Sequence, residues 1–68
     1  MEKFVFHVEG MSCQHCVKAV TDAVRELPGV KEISVELLDK TATVVFDPAQ
    51  VSLEKIKEEI EDQGYEVI

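Results

Sequence analysis

The chain contains two cysteines, Cys13 and Cys16, in the run Gly10-Met11-Ser12-Cys13-Gln14-His15-Cys16. A disulfide across so short a loop would restrain the unfolded chain little. Small secreted domains that rely on disulfides carry more cysteines, spread along the sequence. In a reducing compartment, Cys-x-x-Cys points instead to metal binding or dithiol redox chemistry. Two thiolates are soft ligands, and softness selects Cu(I) over Mg(II), Ca(II) or Mn(II). Zinc wants four ligands, or three and a water. Here there are two sulfurs and one imidazole, that of His15. In a tight Cys-x-x-Cys loop both sulfurs must converge on one point, which splays the two intervening side chains toward solvent. His15 is therefore expected to stay off the metal in a monomer. It remains a candidate for an accessory role at the edge of a cluster shared by two chains, or as a positive charge beside the thiolates. Cu(I) accepts two sulfur ligands, and an under-coordinated ion on an exposed loop stays open to an incoming thiolate.

These residues need elements to position them. Phe4, Phe6 and Val8 alternate with Val5 and His7, which reads as a strand over Phe4–Val8 with the Phe4 side facing a core. Gly10 breaks the pattern and opens a loop. From Cys16 the period changes: Val17, Val20, Val24 and Leu27 recur at steps of three and four. Lys18, Asp22, Arg25 and Glu26 fall opposite them, giving an amphipathic helix from about Gln14 to Glu26. Pro28-Gly29 ends it. Cys16 then lies in the first helical turn and Cys13 in the loop before it. Unpaired first-turn amides and the positive end of the helix dipole favour thiolate over thiol there, and Lys18 is near enough in sequence to add charge.

Ile33, Val35 and Leu37 alternate as a second strand, and Ala42, Val44 and Phe46 as a third. Leu38-Asp39-Lys40-Thr41 makes a hairpin turn without an Asn-Gly or Asp-Gly signal. Asp47-Pro48 closes the third strand. Ser52 reads as the N-cap of a second helix, with Val51 and Ile56 as a hydrophobic staple and Leu53, Ile56 and Ile60 as its buried stripe. Glu54, Glu58, Glu61 and Asp62 form a solvated face. Gly64 suits the left-handed position past the helix end, and Tyr65–Ile68 is a short last strand. The order βαββαβ, with right-handed crossovers, places both helices on one face of a four-stranded antiparallel sheet, a ferredoxin-like α+β sandwich in one domain over residues 1–68.

With 68 residues the chain is one small domain, and 46% apolar content is normal for a globular protein. A formal net charge of −7 repels phosphate backbones and anionic membrane surfaces, so neither nucleic acid nor a membrane is expected as a partner. No apolar run approaches the roughly 18 residues of a membrane span. The N-terminus has no basic n-region, and His7 and Glu9 interrupt any apolar core of a signal peptide, so the expected compartment is the cytoplasm.

In this context the run Gly10 to Cys16 resembles the Gly-Met-x-Cys-x-x-Cys motif of the heavy-metal-associated domain family. The likeness extends through Leu27-Pro28-Gly29-Val30 and Asp62-Gln63-Gly64-Tyr65 and covers the whole chain. Within the family it is closest to the bacterial copper chaperones. The resemblance implies Cu(I) bound by Cys13 and Cys16, with delivery to a copper-exporting P-type ATPase that carries similar domains. In some bacteria it also implies contact with a copper-responsive repressor. It places Tyr65 near the metal, where a tyrosine is typical of bacterial chaperones. A monomer without metal and a copper-bridged dimer with it are both consistent with two exposed thiolates. Met11 fits a core plug beneath the loop better than a thioether ligand. The Asp39-Lys40 turn lacks the glycine common in the family, which affects the hairpin and not the site. Mercury-binding relatives share the motif but are commonly exported. Two other readings stay open. One is a dithiol-disulfide redox protein, although the chain is short for a thioredoxin-like fold and has no tryptophan. The other is a regulatory metal-binding domain excised from a copper ATPase, against which the chain's start at Met1 and the absence of linkers weigh.

Overall fold

The computed structural model describes all 68 residues, Met1 to Ile68. The elements run β1 (Glu2–Glu9), α1 (Gln14–Arg25), β2 (Val30–Glu36), β3 (Thr41–Phe46), α2 (Leu53–Asp62) and β4 (Glu66–Val67). The sheet order is β2-β3-β1-β4, with every neighbouring pair antiparallel. This is the ferredoxin-like sandwich that the βαββαβ pattern predicts. Because β3 lies between β1 and β2, the first crossover leaves β1 and β2 pointing the same way. The end of β1, the start of α1, the β2–β3 hairpin and the end of α2 therefore share one end of the molecule.

The core is one cluster of eleven buried residues: Phe6 and Val8 from β1, Met11 from the loop, Val20 and Val24 from α1, Ala42, Val44 and Phe46 from β3, and Val51, Ile56 and Ile60 around α2. Phe4, expected on the covered side, is 43% exposed. It stacks in a tilted contact on Phe6, ring centroids 4.8 Å apart, toward the start of β1. On α1 the buried stripe runs through Val20, Val24 and Leu27 as expected and differs only in its first member. Cys16, not Val17, packs partly against the core ahead of Val20, Val24 and Leu27.

The N-terminus of α2 is built as the sequence predicts. The Ser52 hydroxyl accepts a hydrogen bond from the Lys55 backbone N–H at 3.1 Å, and Val51 and Ile56 are both buried. Ser52→Ala leaves that amide without its side-chain partner and should lower unfolding stability by about 1 kcal/mol in a denaturant titration. Gly64 carries the left-handed φ of +95°. β4 is shorter than Tyr65–Ile68, although the Ile68 N–H still donates to the His7 carbonyl at 2.9 Å. The β2–β3 turn is closed by the Lys40 N–H to the Leu37 carbonyl at 3.3 Å. Lys40 takes a φ of +58°, the left-handed residue that ends the four-residue loop Leu37–Lys40 between the paired Glu36 and Thr41.

Candidate metal centre

The chain leaves β1 at Glu9 and turns through Gly10, whose φ is +100°. Left-handed backbone is cheap only for glycine. A second constraint applies here, because a Cβ on Gly10 would stand 3.3 Å from Cδ1 of Tyr65. The tyrosine ring, half-buried and packed on the core, thus lies against the start of the loop. Met11 follows, 7% exposed and part of the core, which anchors the loop from below. Its side chain is a plug, as the apolar reading predicts.

Cys13 is the N-cap of α1, in extended backbone (φ −158°, ψ 173°). Its carbonyl accepts from the N–H groups of Cys16 at 3.1 Å and Val17 at 3.3 Å, so the helix starts immediately beyond it. Cys13 is exposed, Cys16 is half-buried, and both are free thiols. Their sulfurs stand 3.8 Å apart, well beyond the S–S bond of about 2.05 Å. With a metal–thiolate bond of about 2.3 Å, as in zinc sites, that separation subtends about 110° at the ion. A linear ion would need the sulfurs to part by less than about 1 Å, a movement that rotation of the exposed Cys13 side chain can supply.

The site's electrostatics favour the thiolate at Cys16, whose pKa falls to about 6. The largest cause is the backbone amide of Ser12, followed by the Tyr65 hydroxyl. Partial burial opposes them, and the Cys13 side chain and amide add smaller support. The reciprocal effect holds the Tyr65 phenol protonated above its usual range, mainly because it donates to Cys16. Tyr65 is thus a packing residue whose phenol also lies close enough to bear on the Cys16 thiol. Lys18 takes no part. Its ammonium is three-quarters exposed and pairs with Asp22 at 3.0 Å one turn along the outer face of α1. Ser12 is the residue that sequence reasoning missed, since it acts through its main chain and nothing in a side-chain pattern marks it.

His15 is exposed on the first turn of α1. No group of three or more His, Cys, Asp and Glu side chains that could hold a metal ion comes together anywhere in the chain, so the imidazole does not complete a three-ligand set with the two sulfurs. No helix is long and apolar enough to cross a membrane.

A model of the heavy-metal-associated domain matches residues 5–66, from within β1 to the first residue of β4. The chain belongs to the heavy-metal-associated domain family. Among curated relatives, the copper chaperone CopZ of Bacillus subtilis is 52% identical over 67 residues, covering 98% of this chain and 97% of that one. Among solved structures, a CopZ metallochaperone superposes with a TM-score of 0.97 at 39% identity, over 98% of this chain and 100% of that one. The water-soluble region of the P-type ATPase CopA from Bacillus subtilis superposes with a TM-score of 0.93 at 33% identity, over 98% of this chain and 44% of that one. This heavy-metal-associated fold thus occurs both in a small chaperone and in the soluble part of a P-type ATPase.

Proposed function

We propose that this protein is a cytoplasmic copper(I) carrier that binds the ion through Cys13 and Cys16. It then passes the ion by ligand exchange to a metal-binding domain of a copper-exporting P-type ATPase. The observation that carries this reading is the pair of free sulfurs 3.8 Å apart at a helix start, with no third ligand beside them. Two soft anions and no more suit Cu(I), whereas a closed zinc site would need further donors. The copper chaperones and the copper ATPase region among its relatives support the choice of metal and partner.

The transfer step follows from the open coordination. An incoming thiolate of the partner forms a new Cu–S bond on the side that the bent two-sulfur arrangement leaves free. One Cu–S bond to Cys13 or Cys16 breaks, and a second exchange completes the move. Copper stays Cu(I) throughout, and each released thiolate can take a proton from water. Cys13, exposed at the N-cap, is the sulfur that moves more readily. Cys16 is held by the core and by the donors from Ser12 and Tyr65, so it is the ligand that retains the ion until the partner's sulfur arrives. A copper-responsive repressor with thiolate ligands could receive the ion by the same step. Without copper nothing bridges two chains, and the protein is a monomer. With it, thiolates of two chains can share the metal.

The test is transfer. Copper-loaded protein mixed anaerobically with a two-cysteine ATPase domain should hand over Cu(I) faster than release to a chelator allows. It should also show negligible disulfide reductase turnover. Robust metal-free turnover, with no transfer above the release rate, would replace the carrier by a dithiol oxidoreductase. For His15, the geometry predicts that His15→Ala leaves one-copper affinity within about tenfold, roughly 1.4 kcal/mol. Its effect should appear only above one copper per chain, where dimers form. A much larger loss in dilute protein would make the imidazole a primary ligand.

A further inference from the structure

We propose that Leu38, at the tip of the β2–β3 hairpin, is an apolar anchor that docks the metal-accepting ATPase domain against the cysteine end of this protein. The inference rests on the carrier reading above and names a residue of the partner interface outside the cysteine loop.

Leu38 is 96% exposed, more than any other large apolar side chain in the molecule. A single exposed leucine is ordinary on a protein surface, so its place is what matters. Hairpin tips are normally filled with Gly, Asn, Asp, Ser or Pro, which serve the turn. A leucine there serves neither the turn nor the core.

The tip is also held firmly beside the site. The Val8 N–H donates to the Lys40 carbonyl at 2.8 Å, and the Lys40 ammonium lies 3.5 Å from the Glu9 carboxylate. Glu9 is the last residue of β1 and leads directly into Gly10 and the metal loop. The hairpin and the loop are thus joined through the same two residues.

The dimensions of the molecule then decide what a partner must cover. Its principal extents are 32 × 19 × 19 Å. The eight residues of β1, about 27 Å long at about 3.4 Å each, exceed either short extent and so run nearer the long axis, which makes the cysteine end a cap about 19 Å wide. A transient interface at the upper end of the weak class buries about 600 Å² per partner, a disc about 28 Å across. Ligand exchange requires the partner's sulfurs to reach the ion held by Cys13 and Cys16, which places that disc over the cysteine end. A partner of that size seated there reaches the neighbouring hairpin tip and Leu38. The polar rim at this end sets orientation, and Leu38 contributes burial of apolar area that is fully hydrated in the free protein.

The experiment compares wild type with Leu38→Ser and Leu38→Asp, using the water-soluble region of Bacillus subtilis CopA as acceptor. Substitution at so exposed a position should leave the thermal midpoint and the one-copper affinity unchanged. Those controls separate docking from folding and from metal binding. The second-order rate of copper transfer at acceptor concentrations below saturation should fall about fivefold with serine and further with aspartate. The direct release of copper to a small chelator should not change. Transfer rates equal to wild type in both variants would overturn the role of Leu38 while leaving the carrier reading intact. A wild-type protein that fails to transfer at all would instead refute the reading on which this inference rests, and the role of Leu38 with it.

Discussion

Cys13→Ser and Cys16→Ser are each expected to lower Cu(I) affinity by several orders of magnitude while the domain stays folded. Each substitution removes one of only two soft ligands, and no neighbouring His, Cys, Asp or Glu group is placed to replace it. A serine hydroxyl is a hard, neutral donor and a poor match for Cu(I). The consequences for folding differ between the two. Cys13 is exposed and its side chain makes no cap hydrogen bond, so the serine should be neutral, or slightly stabilising as a better N-cap. Cys16 packs partly on the core, and its replacement should cost about 1 kcal/mol or less. Competition against a chromophoric chelator measures the affinities, and thermal unfolding of the apo variants measures the rest. Two single mutants with wild-type copper affinity would remove the site from these residues altogether.

The second large effect concerns pH. With a pKa of about 6, Cys16 is about nine-tenths ionised at pH 7. Above about pH 6, copper therefore finds a ready thiolate at this position. Below it, copper must displace a proton from Cys16, and the apparent affinity should fall by an additional factor of about ten per pH unit. The linkage to folding has a definite sign. The folded-state pKa lies below the ordinary thiol value of 9.0, so between these limits the folded chain binds fewer protons than the unfolded one. Apo stability should rise across that window as pH increases, and the contribution of Cys16 should be lost as pH falls through about 6. Tyr65→Phe keeps the ring against Gly10 and removes the phenolic donor. It should raise the Cys16 pKa without restoring it to 9, because the amide of Ser12, the larger cause, remains. Following thiolate absorbance or alkylation rate against pH would show this. A Cys16 that titrates near 9 in the wild type would contradict the donor geometry.

Much of this arrangement is readable from residue order alone. The strand alternations, the Ser52 cap with its Val51–Ile56 staple, and Gly64 each act locally, and local rules recover them. The Cys-x-x-Cys pair at a strand-to-helix junction is local too. What escapes the sequence depends on three dimensions. Both Cys16 and Val17 fit a stripe that continues through Val20, Val24 and Leu27. They lie four and three residues before Val20, and only the packed core shows that Cys16 is the one lying partly against it. Phe4 alternates correctly, yet alternation does not say where along β1 the covering layer thins. Lys18 lies two residues from Cys16, but Asp22 lies one helical turn away on the same face and takes the charge. The amide of Ser12 carries no side-chain signature, and its contribution comes from the path of the loop between Gly10 and Cys13. The hairpin lacks a glycine, so the left-handed geometry of Lys40 is invisible until the strands on either side fix the loop length.

An anaerobic titration of the reduced, dilute protein decides whether two sulfurs alone make the ligand set. Cu(I) is added against a competing chelator, with Zn(II) titrated in parallel. One tightly bound Cu(I) per monomer is expected, lost in either cysteine variant. Zn(II) affinity should be weaker by orders of magnitude, because zinc finds only half of a tetrahedral ligand set. Zn(II) binding as tight as Cu(I) in the monomer, or Cu(I) binding that survives the loss of a sulfur, would contradict a ligand set of two sulfurs alone.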